Sequence, residues 1–168
     1  MVSSARWGVA DMRGFTLVEM LITLGIIAVI LSFSSVSLLS SRNRSSFASA
    51  MTVILTDLNS QRLKAMSGDT EGAAPPAGYG IYFGSDGYTL FRGVSFSAAD
   101  PANFDINLDP GQNFSAVGFP GSSVVFLAGS GEISGFSPGQ ATFTLNDSLE
   151  KVAATVVLNQ FGTVVSAD

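Results

Sequence analysis

The stretch Gly14-Phe15-Thr16-Leu17-Val18-Glu19-Met20-Leu21-Ile22, which runs on apolar to Phe33, decides how the rest of the chain is read. Glu19 is the only charged residue between Phe15 and Phe33. A bilayer span needs about 20 mostly apolar residues, so this run is long enough to be one. A carboxylate inside such a run costs about 3 kcal/mol at mid-span. An ionisable residue there is read first as functional, with a cationic partner to be found.

Outward from this stretch, no Pro occurs between residues 15 and 66. The segment reads as nearly one helix, apolar all round in its first half and amphipathic in its second. Phe47, Met51, Ile54 and Leu58 recur at offsets of 0, +4, +7 and +11, which is one helical face. Arg44, Asp57, Gln61, Arg62 and Lys64 supply polar positions in or beside that half. Such a helix would be about 78 Å long, too long for a small domain to bury. Membrane, other copies or both must hold it. Gly25 and the Ser-rich patch 32–46 are the places where it could bend.

Ser67-Gly68 ends the helix, and residues 68–78 form a Gly/Ala/Pro linker. Beyond it the periodicity is that of strands. Residues 79–92 read as a hairpin turning at Ser85-Asp86-Gly87. Phe104–Leu108, Ser123–Leu127, Glu132–Ser134, Ala141–Asn146, Val152–Asn159 and Thr163–Ser166 read as further short strands. The expected fold class is α+β: a long N-terminal transmembrane and amphipathic helix packed on a C-terminal antiparallel β domain. That domain, 79–168, is expected to be a sandwich or a wrapped sheet of seven or eight strands. The divisions are 1–14 as leader, 15–39 and 40–67 as the two halves of the helix, 68–78 as linker and 79–168 as globular domain.

Composition narrows the chemistry. The 168 residues contain no Cys and no His, so disulfides, thiolates and the commonest general base are excluded. Residues 45–168 hold four basic and eleven acidic side chains, a net charge of 4 − 11 = −7. Such a domain repels phosphate backbones. Gly135-Phe136-Ser137-Pro138-Gly139 has nucleophile-elbow spacing, but without His there is no triad, and Pro138 opposes the helix an elbow needs. The chain is therefore read as no enzyme. Asp105, Asn107 and Asp109 have the first spacings of a calcium loop, yet Pro110 stands where Gly is required and Ala116 at the twelfth position. An EF-hand is excluded. Asp105 and Asp109 remain the two candidates for a single calcium ion, against the simpler reading of solvated edge-strand acids.

The opening stretch, Gly14 to Leu21, closely resembles the type IV prepilin cleavage and methylation motif. Type IV pilins and the pseudopilins of type II secretion systems share that motif. A basic residue then Gly, a Phe opening the mature chain and an acid at its fifth position appear in the family's order. The resemblance implies that Gly14 precedes a bond cut by a prepilin peptidase, and that Phe15 becomes an N-methylated terminus. It also implies that Glu19 faces the amine of a neighbouring subunit. Segments Tyr88–Gly93, Ser123–Gly131, Ala141–Leu145 and Val156–Val165 resemble the GspH/FimT-like minor branch. DNA-uptake members of that branch carry arginines after the last Gly turn. Here no basic residue follows Lys151, which speaks against nucleic acid as a partner.

The resemblance implies a minor pilin or pseudopilin. It would be single-pass in the bacterial inner membrane with its C-terminal domain outside the cytoplasm, then assembled into a fibre. Prepilin peptidase, other subunits and the inner-membrane assembly platform are the implied partners, with no cofactor beyond the calcium candidate. The alternatives are a pilus-tip ligand- or DNA-binding subunit, and a signal-anchored β protein without a fibre. Met1 and Met12 are both eligible starts.

Overall fold

The computed structural model describes residues 15–70, 72, 75 and 77–167, with the side chains of 33–45 outside the description. Two units emerge, 1–40 and 41–168. In the first, Phe15 and Thr16 are non-helical and helix α1 (Leu17–Ser67) begins. The expected helix, 15–66, is thus displaced by two residues at its start and one at its end.

Among the described residues, the second unit contains the remainder of α1 and eight strands. They are β1 (Tyr79–Phe83), β2 (Gly87–Arg92), β3 (Phe104–Asn107), β4 (Gln112–Val117), β5 (Ser123–Phe126), β6 (Thr142–Asp147), β7 (Val152–Leu158) and β8 (Val164–Ala167). They form two four-stranded sheets, ordered β3-β2-β1-β5 and β4-β6-β7-β8. Every pairing is antiparallel.

Two strand expectations are corrected. Glu132–Ser134 is not a strand: Ile133 makes only an isolated bridge with Phe126, and turns surround it. A strand at 112–117 was not expected after Asp109-Pro110-Gly111. Its register shifts between Phe114 and Ala116 where it pairs with β6, so a bulge hides the alternation that marks a strand.

One core joins both sheets and the helix. Ile81, Phe83 and Tyr88 from the first sheet meet Phe114, Phe143, Leu145 and Val156 from the second. Phe83 lies between Phe114 and Phe143, each at 5.0 Å between ring centroids. The expected helical stripe closes this core: Ile54 and Leu58 are buried, and Phe47 and Met51 are half-buried against it. Burying such side chains contributes about 1.5–3 kcal/mol each. The stripe continues through Gln61 and Ala65, both buried. Gln61, expected among the polar positions, therefore points inward on the apolar face.

Polar contacts fasten the same half of the helix. The Tyr88 hydroxyl donates to Asp57 Oδ2 at 2.6 Å, and the Ser46 hydroxyl donates to Asp109 Oδ2. At the C-terminus the amides of Gly68 and Asp69 donate to the carbonyls of Ala65 and Lys64. That paired 5→2 and 6→1 arrangement is a Schellman stop. The amide of Gly129 also donates to the Ala65 carbonyl at 2.8 Å. Gly131, in the same loop, leaves no room for a side chain: an added Cβ would lie 2.3 Å from Met66 Cγ.

Candidate functional site at the head of the helix

The candidate site is the head of α1. Thr16 sits where the helix begins. Its carbonyl accepts the amide of Met20 at 3.2 Å, the first helical bond. Its hydroxyl oxygen accepts the amide of Glu19, also at 3.2 Å. Thr16 is therefore the N-cap, and it satisfies one of the orphan amides that every helix start leaves. The sequence reading did not single out Thr16, although the spacing Thr16-x-x-Glu19 is that of a capping box and could have revealed it.

Glu19 lies in the first turn and is exposed. A carboxylate there is favoured by the positive end of the helix dipole. Phe15, just before the cap, is 75 % exposed. The structure thus places Phe15 and Glu19 at one end of one element, four residues apart in sequence. Gly14, and with it the bond between Gly14 and Phe15, lies outside the described residues.

Below the cap the surface is apolar on every side. Leu17, Leu21, Leu24, Ile27, Ile30 and Leu31 are each more than half exposed. The polar side chains are turned onto the backbone. The Thr23 hydroxyl donates to the Met20 carbonyl at 3.0 Å, and the Ser32 hydroxyl to the Ala28 carbonyl at 2.8 Å. Hydroxyls bonded this way can sit in hydrocarbon without an unsatisfied donor. Gly25 has nothing within 4 Å of where a Cβ would stand.

Among the described residues, no helix is long and apolar enough to cross a membrane.

The other candidate residues belong to the second unit. Asp105 Oδ1 accepts the Thr89 hydroxyl at 2.6 Å, and Asp109 accepts Ser46. Among the described residues, no group of three or more acidic side chains is placed to hold a metal ion. Residues 135–139, with elbow-like spacing, lie in turns and coil between Ile133 and β6.

Comparison with known families bears on the head of the helix. Residues 10–35 match the model of the prokaryotic N-terminal methylation motif. The match spans Gly14, Phe15, the Thr16 cap, Glu19 and the apolar turns, and supports a prepilin-type, processed chain of the pilin and pseudopilin kind. No curated protein and no solved structure matches the chain.

Proposed function

We propose that this protein is a non-enzymatic fibre subunit, a minor pilin or pseudopilin. In this reading a prepilin peptidase cuts after Gly14, Phe15 becomes the methylated N-terminus, and the chain waits as a single-pass protein of the inner membrane. Its C-terminal domain lies outside the cytoplasm until the assembly platform draws the subunit into a filament. The observation that carries the reading is the methylation motif at residues 10–35, set at the head of a helix whose apolar side chains are exposed on all sides.

Mechanism then follows from what cleavage exposes. A freed α-amine at Phe15 stands beside a helix whose fifth mature residue is Glu19. In hydrocarbon, neither charge is stable alone. The carboxylate of one subunit therefore pairs with the amine of its neighbour, and that pairing sets the register in which helices enter the bundle. The apolar turns below supply the packing. The β domain stays outside the bundle and selects partners.

The test separates packing from register. Glu19→Val is expected to be cleaved normally and to remain in the membrane, yet to be incorporated into fibres far less than the parent chain. Sheared-fibre fractions probed for the subunit give the readout. Incorporation at the parental level would remove Glu19 from the mechanism.

A further inference from the structure

The second unit holds a cavity of about 400 Å³ between the docked half of α1 and the chain that leads from β3 into β4. That volume lies toward the lower end of small-ligand sites. Its walls are of two kinds. Ala50, Val53, Ile106 and Leu108 are apolar, while Asp109 and Gln112 bring oxygen acceptors. Val53 keeps 48 % of its surface exposed and Asp109 is exposed, so the cavity opens to solvent. No basic side chain lines it among the described residues. Residues 45–168 carry a net charge of 4 − 11 = −7, so the field around the cavity favours a cation.

A chain of hydrogen bonds fixes both acceptors. Gln112 is 5 % exposed, and its Nε2 donates to Ser46 Oγ and to Asp147 Oδ2, each at 3.3 Å. Asp147 is buried and its carboxylate can only accept, so the carboxamide of Gln112 cannot be turned round. Its Oε1 is left buried without a hydrogen-bond partner. The Ser46 hydroxyl accepts from Gln112 and donates to Asp109 Oδ2. Asp109 Oδ1 has no partner among the described residues. One unpaired amide oxygen and one unpaired carboxylate oxygen are thus linked through a single serine hydroxyl, on side chains that wall the same cavity. A buried acceptor is not left unpaired without cost, and a ligand that brings donors and an apolar stem meets both oxygens and the walls beside them.

We infer that this cavity binds a primary alkylammonium group: the ammonium donates to Asp109 Oδ1 and Gln112 Oε1, and the alkyl stem lies along Val53 and Leu108. An ammonium carries donors and no acceptor, which complements the two unpaired oxygens, and a stem of methylenes packs on apolar walls. Asp109 is the one carboxylate among the described walls, which suits a singly charged group better than a divalent ion. The ammonium can come from a lysine side chain of a partner or from a free aliphatic amine, and both present the same chemistry. The inference goes beyond the fibre reading and does not depend on it.

The test uses the full chain in neutral detergent micelles, titrated calorimetrically with N-acetyl-lysine methylamide and with butylammonium. Tighter binding of the lysine compound points to a partner's side chain, equal or tighter binding of butylammonium to a free amine, and either supports the site. The norleucine counterpart of the lysine compound lacks the charge and is expected to bind at least about tenfold more weakly, the worth of one charge-assisted contact. The trimethyllysine counterpart keeps the charge without the donors and is expected to lose a similar factor. Asp109→Asn should weaken both ammonium ligands about tenfold while keeping an acceptor for Ser46, and Glu132→Gln, the same change of charge outside the cavity, should not. Val53→Trp fills the cavity from an exposed helix position and should abolish binding with both acceptors intact, which keeps the test clear of misfolding. Equal binding of the norleucine or trimethyllysine counterpart, parental affinity in Asp109→Asn or Val53→Trp, or no saturation by about 10 mM would overturn the inference. Calcium that displaces both ammonium ligands at a lower concentration than theirs would overturn it as well, by assigning the two oxygens to a metal.

Discussion

Helix α1 has two halves with the same backbone and opposite fates. From Leu17 to Ser32 its apolar side chains are exposed on all sides; from Phe47 to Ala65 one stripe is sealed against two sheets. The first half carries no pattern, and the second carries a stripe with polar neighbours. The difference shows that apolar content alone does not place a helix in a core. A domain can bury one face, so a helix apolar on every face must be covered by something other than its own domain.

The largest expected effect contrasts the two halves directly. Leu58→Ala should lower the unfolding free energy of the β domain by about 2–5 kcal/mol, because it empties a fully packed position. Leu24→Ala, the same change in the uncovered half, should alter that free energy by less than about 0.5 kcal/mol while lowering fibre incorporation. Denaturant titration in micelles reads both. Similar losses would mean that the first half also packs on the domain.

Next comes the turn that closes the second sheet. Gly162 has φ +68°, and an added Cβ would lie 2.5 Å from the Phe126 ring. Gly162→Ala is expected to cost about 1–3 kcal/mol from the left-handed backbone, before any displacement of the ring. A smaller loss would show that Phe126 and the turn can move apart without disturbing the core.

A smaller effect belongs to the contact that ties the docked half to β2. Burial of the Tyr88 hydroxyl, then its hydrogen bond to Asp57 and the charge of that group, push its ionisation well above the usual phenol range. An unfolded tyrosine ionises near pH 10. Above that pH the unfolded state binds fewer protons than the folded one. The contribution of this group is therefore fully present below about pH 10 and is lost as pH rises through the alkaline range. Tyr88→Phe should cost about 0.5–1.5 kcal/mol at neutral pH and flatten the alkaline fall. A parental alkaline profile in Tyr88→Phe would assign the pH dependence to another group.

The smallest effect is local to the exposed half. Thr16→Ala removes the cap and should destabilise the first turn by about 1 kcal/mol, read as faster amide exchange at Glu19 and Met20 with the β domain unchanged.

How much of this was legible in the sequence follows from the same contrast. The helix, its docking stripe and seven of the eight strands among the described residues were readable because periodicity reports burial directly. Strand β4 was hidden by its bulge, and Glu132–Ser134 looked like a strand while making a single bridge. Gln61 was read only as a polar position of the amphipathic half, whereas it is buried in the stripe. Continuing the offsets from Leu58 to residues 61 and 65 would have put it inside. At the head of the helix, Gly14, Phe15 and Glu19 stand out by their order, and the match to the methylation motif at residues 10–35 covers all three. Thr16 was overlooked because a cap is a local backbone device that leaves no mark on hydrophobic periodicity.

The central claim is that the chain is cut between Gly14 and Phe15 by a prepilin peptidase. Its most direct test is the intact mass of the protein co-expressed with such an enzyme, beside Gly14→Val, whose bulk should block the cut. The expected result is a chain beginning at Phe15 and carrying one added methyl group, with Gly14→Val left at full length. A parent chain that keeps its residues through Gly14, whether it starts at Met1 or Met12, would contradict the account.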